Sequence, residues 1–335
     1  MGQLSGVKHT TLHDWYKNHL SGFHTQEAQQ ELHRFDITQP PGSGEDPIAV
    51  PILKPEHIGV SMAIDEKYIN GKFYTILSNN YTGKIALMAA THIKQELDKA
   101  MCKFGSKRFE VKTLTRDLSN TYDWIGREHF MNACHVADKF HIIRHLFDAL
   151  HDVRIFYRQQ LLTKKRLEKQ KSLNPSLEAV PKPAKESTLE NGDTHAELLA
   201  RSIYLLYKHE KDWSLSQAAR AKVLFKHYPD IEKAYRLVIK FRNWYSKINV
   251  AKPLSYIQQQ LQRWCKEVLQ ANIPEMLNFK DLVLRHQGVI CNYFIKGQTN
   301  AKAEAINRII QAIISTHVNT RNINFAHFRL AKLLS

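Results

Sequence analysis

The chain has 335 residues and carries 48 Lys and Arg against 32 Asp and Glu, a formal net charge of +16 with a pI near 9.6. That length buries a substantial core, as one elaborate domain or as two or three simple ones, and so positive a balance points to a polyanionic partner. No apolar run approaches the roughly 20 residues of a spanning helix and no signal peptide opens the chain, so the expectation is a cytoplasmic protein with no membrane partner.

Residues 3–23 read as the turn and second helix of a helix-turn-helix, within a segment 1–36. Gly6 would supply the turn, Val7, Leu12 and Trp15 would face inward, and Lys8, His9 and Thr11 would face a DNA groove. A short amphipathic helix packed on the body of the protein is the alternative reading. Residues 37–58, with Pro40, Pro41, Gly42, Gly44, Pro47, Pro51 and Pro55, read as a linker.

Three strands follow, at 60–66, 72–79 and 84–91, with Asn79-Asn80 and Thr82-Gly83 as turn residues between the last two. Ile93, Leu97, Met101 and Phe104 have helical spacing. A strand closing on Asp117, a helix from about Ser119 to His129 and a strand closing on Asp138 complete the order β-β-β-α-β-α-β. No glycine-rich nucleotide fingerprint occurs. The first strand carries Asp65-Glu66 after an apolar run, which is costly unless something positive binds there, and a metal ion is the natural occupant. Three strands ending in aspartate would gather acids at one sheet edge, where ligand sites of α/β sheets lie.

From Phe140 to about Lys171 the spacing predicts a long helix ending in the basic cluster Lys164, Lys165, Arg166 and Lys169, suited to phosphates. Residues 171–195 read as a flexible insertion, 196–277 as a helical domain, and 278–335 as a C-terminal helix and tail that complete the core begun at 59–170. Trp213, Trp244, Tyr245 and Trp264 read as core rather than base-stacking platforms. Cys102, Cys134, Cys265 and Cys291 form no C-x-x-C pair and read as ordinary reduced core residues. Glu304, alone among small and apolar residues on a predicted helix, is a candidate fourth acid.

These residues resemble one family. Ile64-Asp65-Glu66, Thr115-Arg116-Asp117-Leu118-Ser119 with Tyr122, Asn132-Ala133 leading to Asp138-Lys139-Phe140-His141, Asn292-Tyr293-Phe294, and Asn300 with Ala303-Glu304 and Asn307 are similar, in order and spacing, to the DDE transposases of bacterial insertion sequences, of the ISL-three (ISL3) type. The resemblance covers residues 60–335 and implies a ribonuclease H-like α/β catalytic domain, with a mixed sheet, interrupted by a large helical insertion. It implies that Asp65, Asp117 and Glu304 are the catalytic and metal-binding D, D and E, with two Mg²⁺ ions for which Mn²⁺ may stand in. On that reading Asp65 bridges both ions, and Asp117 and Glu304 hold one each. Asp138 and His141 fall on a D-x-x-H element, and Glu66 takes an auxiliary place. The implied activity is cleavage and strand transfer of double-stranded DNA ends by a nucleoid-associated homo-oligomer. A DNA-binding regulator and a nuclease that does not join strands are the rivals. Such transposases usually open with a zinc ribbon and a full helix-turn-helix. Their absence from this sequence implies a separately encoded DNA-reading partner or a truncated copy.

Overall fold

The computed structural model describes residues 6–28, 48–69, 71–173, 188–297, 301–315 and 323–334, the side chains at 9, 169, 171–173, 296, 301–304 and 313–315 excepted. It divides into two compact units, residues 1–138 with 298–335, and residues 139–297.

The first unit opens with a short helix α1 (His9–Trp15) that runs into a π-helical turn, Tyr16–Leu20. A two-residue strand β1 (Ile52–Leu53) follows, inside the segment read as linker. Then come β2 (Ser61–Ile69), β3 (Lys72–Asn79), β4 (Ile85–Ala89), helix α2 (Lys94–Cys102), β5 (Thr113–Arg116), helix α3 (Asn120–His129) and β6 (Cys134–Ala137). The six strands form one mixed sheet in the order β1-β4-β3-β2-β5-β6. The β1–β4, β4–β3 and β3–β2 pairs are antiparallel, and the β2–β5 and β5–β6 pairs are parallel. The β3–β4 turn closes through Asn79, whose side-chain oxygen accepts from the N–H groups of Tyr81 and Thr82, while Gly83 supplies a φ of +74°.

One sequence expectation changes here. The first strand does not end at its carboxylates, because β3 pairs with β2 all the way to Ile69. Only the parallel pairing with β5 stops short, at Ala63 and Thr115. Asp65 therefore stands on a continuous strand at the point where one neighbour is lost.

The second unit is helical among its described residues: α4 (Lys139–Leu173), α5 (His195–Arg201), α6 (Ile203–Leu206), α7 (Leu215–His227), α8 (Pro229–Trp244), α9 (Leu254–Ala271), α10 (Pro274–Arg285) and α11 (Gln287–Lys296). Capping boxes at Thr194/Glu197 and Ser214/Gln217 start α5 and α7, prolines start α8 and α10, and Asn272 in the left-handed region ends α9. Phe241 packs against Trp244, Trp264 and Phe279, so both tryptophans belong to the core, and Trp213 is half-buried. The long helix α4 groups with these helices, so the helical unit runs from 139 to 297 where the sequence reading bounded it at 196 and 277. Residues 174–187 of the expected flexible insertion lie outside the described residues. Its end is built, since Asp193 is buried and paired with Arg201 and Arg220.

The chain then returns to the first unit with α12 (Ala301–Ser315) and α13 (Ile323–Leu334). The two faces of the sheet are covered differently. Met62, Ile64, Leu77, Leu114, Tyr122 and Ile125 share the core under α2 and α3. Ile69, Tyr74 and Ile76 share the other with Ile306 and Ile310 of α12 and Leu330 of α13. The N-terminal segment packs on α13 through Phe23 and His13 against Phe325. Val7 and Trp15, expected to face inward, are 39% and 55% exposed. The helix presents His13 to α13 instead, and α1 lies against the body of the unit in the manner of the alternative reading.

Tyr74 Oη lies 2.8 Å from His327 Nε2 and ties α13 to β3. Burial, with Lys72 nearby, holds His327 down at about 4, and burial pushes Tyr74 up to about 12. The depressed histidine means that the unfolded chain takes up this proton first, so stability is lost as pH falls from 6.5 towards 4. Thermal denaturation across that window should show a smaller decline for His327→Gln than for the parent protein.

Candidate active site

Residue alternation along β2 places Asp65 on the face of Ile69, opposite Ile76 on β3, and Glu66 on the reverse face with Thr75 and Tyr122. The two acids of the dipeptide thus serve different sides of the sheet. Register supplies the rest of the row. The β2–β5 pairing, carried two positions past Ala63–Thr115, sets Asp65 beside Asp117. The β5–β6 pairing, carried one past Arg116–Ala137, sets Asp117 beside Asp138. The Asp138 N–H donating to Arg116 O at 2.7 Å continues that ladder. Adjacent strands lie about 4.8 Å apart. By register, Asp117 and Asp138, each just past the end of its strand, therefore take positions neighbouring Asp65 along the sheet order β2-β5-β6.

Each of the first two carboxylates is held. Asp65 Oδ1 accepts from the Glu66 N–H at 2.8 Å, and its Oδ2 accepts from Asn307 Nδ2 on α12 at 2.6 Å. Asp117 Oδ1 accepts from the Ser119 N–H at 2.6 Å, and Ser119 Oγ in turn accepts from the Tyr122 N–H as the N-cap of α3. A carboxylate offers about four lone-pair sites, so oxygen capacity remains on both. The Thr115 hydroxyl, two residues before Asp117, is buried and makes no hydrogen bond among the described residues.

Beneath the row lie two buried polar side chains. The Arg116 guanidinium, 1% exposed, donates to the Asp117 carbonyl at 3.0 Å and pairs with Asp123, which also pairs with Arg127. Burial lowers its pKa to about 10, against the pull of Asp117. The Tyr122 hydroxyl lies 3.3 Å from Thr75 Oγ1. Its pKa is driven far up, first by burial and then by Glu66, Asp117 and Asp65, so it stays a neutral donor.

Of the other expected residues, Glu304 is on α12, three positions before Asn307, and its side chain lies outside the described residues. His141 is half-buried in the first turn of α4. Lys8 and Thr11 are exposed, as are Lys164, Lys165 and Arg166 on α4, whereas the side chains of His9 and Lys169 lie outside the described residues. Asn307, Arg116 and Tyr122 are site residues that the sequence reading gave no role. For Asn307 the available signal was its spacing of three from Glu304, which puts two helix positions on one face.

A second cluster of ligand-type atoms, from Asp98, Cys102 and His129, lies between α2 and α3. Arg108 Nη1 donates to His129 Nδ1 at 2.8 Å, which leaves the imidazole proton on Nε2, facing Asp98 at 2.9 Å. That chain of hydrogen bonds accounts for the cluster as a strut, and a guanidinium already fills the place beside the ring. Cys102 is exposed rather than core.

Arg116→Met would strand the Asp117 carbonyl and remove one of the two partners of Asp123. Breaking a buried pair costs about 3–5 kcal/mol. Because Arg127 still holds Asp123, urea denaturation should give a loss near the lower end of that range, about 3 kcal/mol.

Residues 62–330 match the family of transposases of the DDE, ISL3 type. No curated protein and no solved structure matches the chain. The match spans well over half of the sequence and runs from β2 into α13. The chain belongs to the ISL3-type family of DDE transposases.

Proposed function

We propose that the protein cuts and joins the ends of an insertion sequence by metal-dependent phosphoryl transfer, on a ribonuclease H-like catalytic unit, as a multimer on paired DNA ends. The observation that carries this reading is the hydrogen bond from Asn307 to Asp65, which fixes the helix bearing Glu304 against the strand bearing the first aspartate. The strand order, with antiparallel β3–β2 and parallel β2–β5–β6, supports the fold assignment.

Asp65 and Asp117 present oxygens only, on one face of the sheet, which suits a hard divalent ion. With Glu304 they would hold Mg²⁺, as two ions or with Mn²⁺ in its place. Bound there, the metal supplies neutralisation of phosphate charge and activation of the attacking hydroxyl, first of water and then of a DNA 3′ end. The chain's own groups set the stage. Asn307, with the Glu66 and Ser119 N–H groups, fixes the carboxylate orientations, and Tyr122 offers a neutral hydroxyl behind them.

Substrate attraction falls to the helical unit. Residues 139–297 hold 28 of the 48 Lys and Arg residues and 15 of the 32 acids, so this unit carries +13 of the net +16. The exposed Lys164, Lys165 and Arg166 lie on its longest helix.

Purified protein, with any N-terminal partner, should join a labelled element end to plasmid DNA only with Mg²⁺ or Mn²⁺. Asp65→Asn, Asp117→Asn and Glu304→Gln should each abolish joining and leave DNA binding in EDTA intact. Cutting without joining would identify a nuclease, and metal-independent binding alone a regulator. Replacing Lys164, Lys165 and Arg166 together by Ala should flatten the salt dependence of DNA binding by about three units of log–log slope. Fluorescence anisotropy over a salt series measures that slope.

A further inference from the structure

A cavity of about 460 Å³ lies in the helical unit, between the second half of α8, the short turn Lys247–Asn249 and α9. We propose that it receives a single unpaired nucleotide of a DNA strand, base first. The proposal rests on the reading of the protein as a DNA-acting enzyme and is independent of the carboxylate row.

The walls are aromatic and fixed. Trp244 and Trp264 line the cavity, and both indole N–H groups are already committed, to Ile257 O at 3.0 Å and Leu237 O at 2.9 Å. Both rings are buried, 7% and 5% exposed, so they give the cavity a rigid apolar floor and neither hydrogen bonds nor a stacking face. The stacking face is that of Tyr256, 41% exposed near the start of α9, with Lys252 5.1 Å from its ring centroid.

The polar lining matches the rest of a nucleotide. Asn243 on α8 and Gln260 on α9 each bring a carboxamide, donor and acceptor together, and neither side chain makes a hydrogen bond among the described residues. Paired donors and acceptors of this kind read a base edge. Arg263 makes no ion pair among the described residues, whereas Lys240 is matched by Glu267 at 2.7 Å. The lining thus has one uncompensated positive charge, the complement of one phosphodiester. The cavity volume falls within the roughly 300–1,000 Å³ of small-ligand sites. No glycine-rich cradle for a free nucleotide's phosphates adjoins it, so the DNA backbone on the basic unit must supply most of the affinity. Beside Asn249, Ile248 is 83% exposed, an apolar side chain placed to fill the gap that a displaced base leaves in the stack.

The test is equilibrium binding of the full chain, in EDTA, to a labelled duplex and to the same duplex with one bulged nucleotide. A base stacked on an aromatic wall contributes about 1–3 kcal/mol, so the bulged duplex should bind about tenfold tighter. Gln260→Ala with Arg263→Ala should erase that preference while keeping the fully paired duplex within twofold of the parent affinity. Ile248→Ser, at a fully exposed position, should reduce the preference without disturbing the fold. Equal binding of the two duplexes by the parent protein overturns the proposal, as does a preference that survives the double substitution. Tighter binding of free deoxynucleoside monophosphate than of bulged DNA overturns the assignment to a strand. Failure to bind either duplex would overturn the DNA-acting reading itself.

Discussion

Everything in the sheet unit turns on a carboxylate that must be held without being neutralised. Asp65 stands where β2 loses one neighbour, and two neutral donors aim at its two oxygens, a backbone N–H from the next residue and a carboxamide from α12. Neutral donors fix the orientation of the carboxylate without adding a compensating charge, as the proposed cation site requires. A lysine at either place would have stabilised the acid more strongly and filled the site. The buried cation of this sheet, Arg116, is instead turned to the opposite face and engaged with Asp123 and the Asp117 carbonyl. The alternation of β5, in register with β2, turns Arg116 to the face opposite Asp65.

The same alternation explains how much could be read beforehand. The strands, the two helices between them and the aspartates that close β5 and β6 are legible because apolar runs punctuated by Asp, Asn and Gly leave few choices. Ser119 as a cap and Asn79 with Gly83 as a turn follow from side-chain chemistry alone. The length of β2 was not legible, because Glu66 and Lys67 look like loop residues until β3 is seen to pair beyond them. Nor did the sequence reveal that Asp65 and Glu66 divide between the faces, since that depends on which helices cover each side.

For the N-terminal segment the sequence leaves two readings open for a related reason. A helix of seven residues presents too few positions to define an inward face, and Trp15 was assigned to it on hydrophobicity alone. The contacts made by His13 and Phe23 with Phe325 depend on a residue some 300 positions away, which no local pattern encodes. The placement of Asn307 is a long-range fact of the same kind, reachable only once Glu304 has been given a meaning.

The contact from Asn307 to Asp65 also has a consequence in time. Ribosomes add about 5–20 residues per second, so roughly 8–30 s separate the emergence of Asp138 from that of residue 298. Throughout that interval the apolar face of Tyr74 and Ile76 waits for Ile306, Ile310 and Leu330, and Asp65 lacks its carboxamide partner. A nascent chain, or one whose synthesis stops early, consequently has its helical unit but an unfinished sheet unit. The order of synthesis itself leaves one face of the sheet bare until the last two helices, α12 and α13, have emerged.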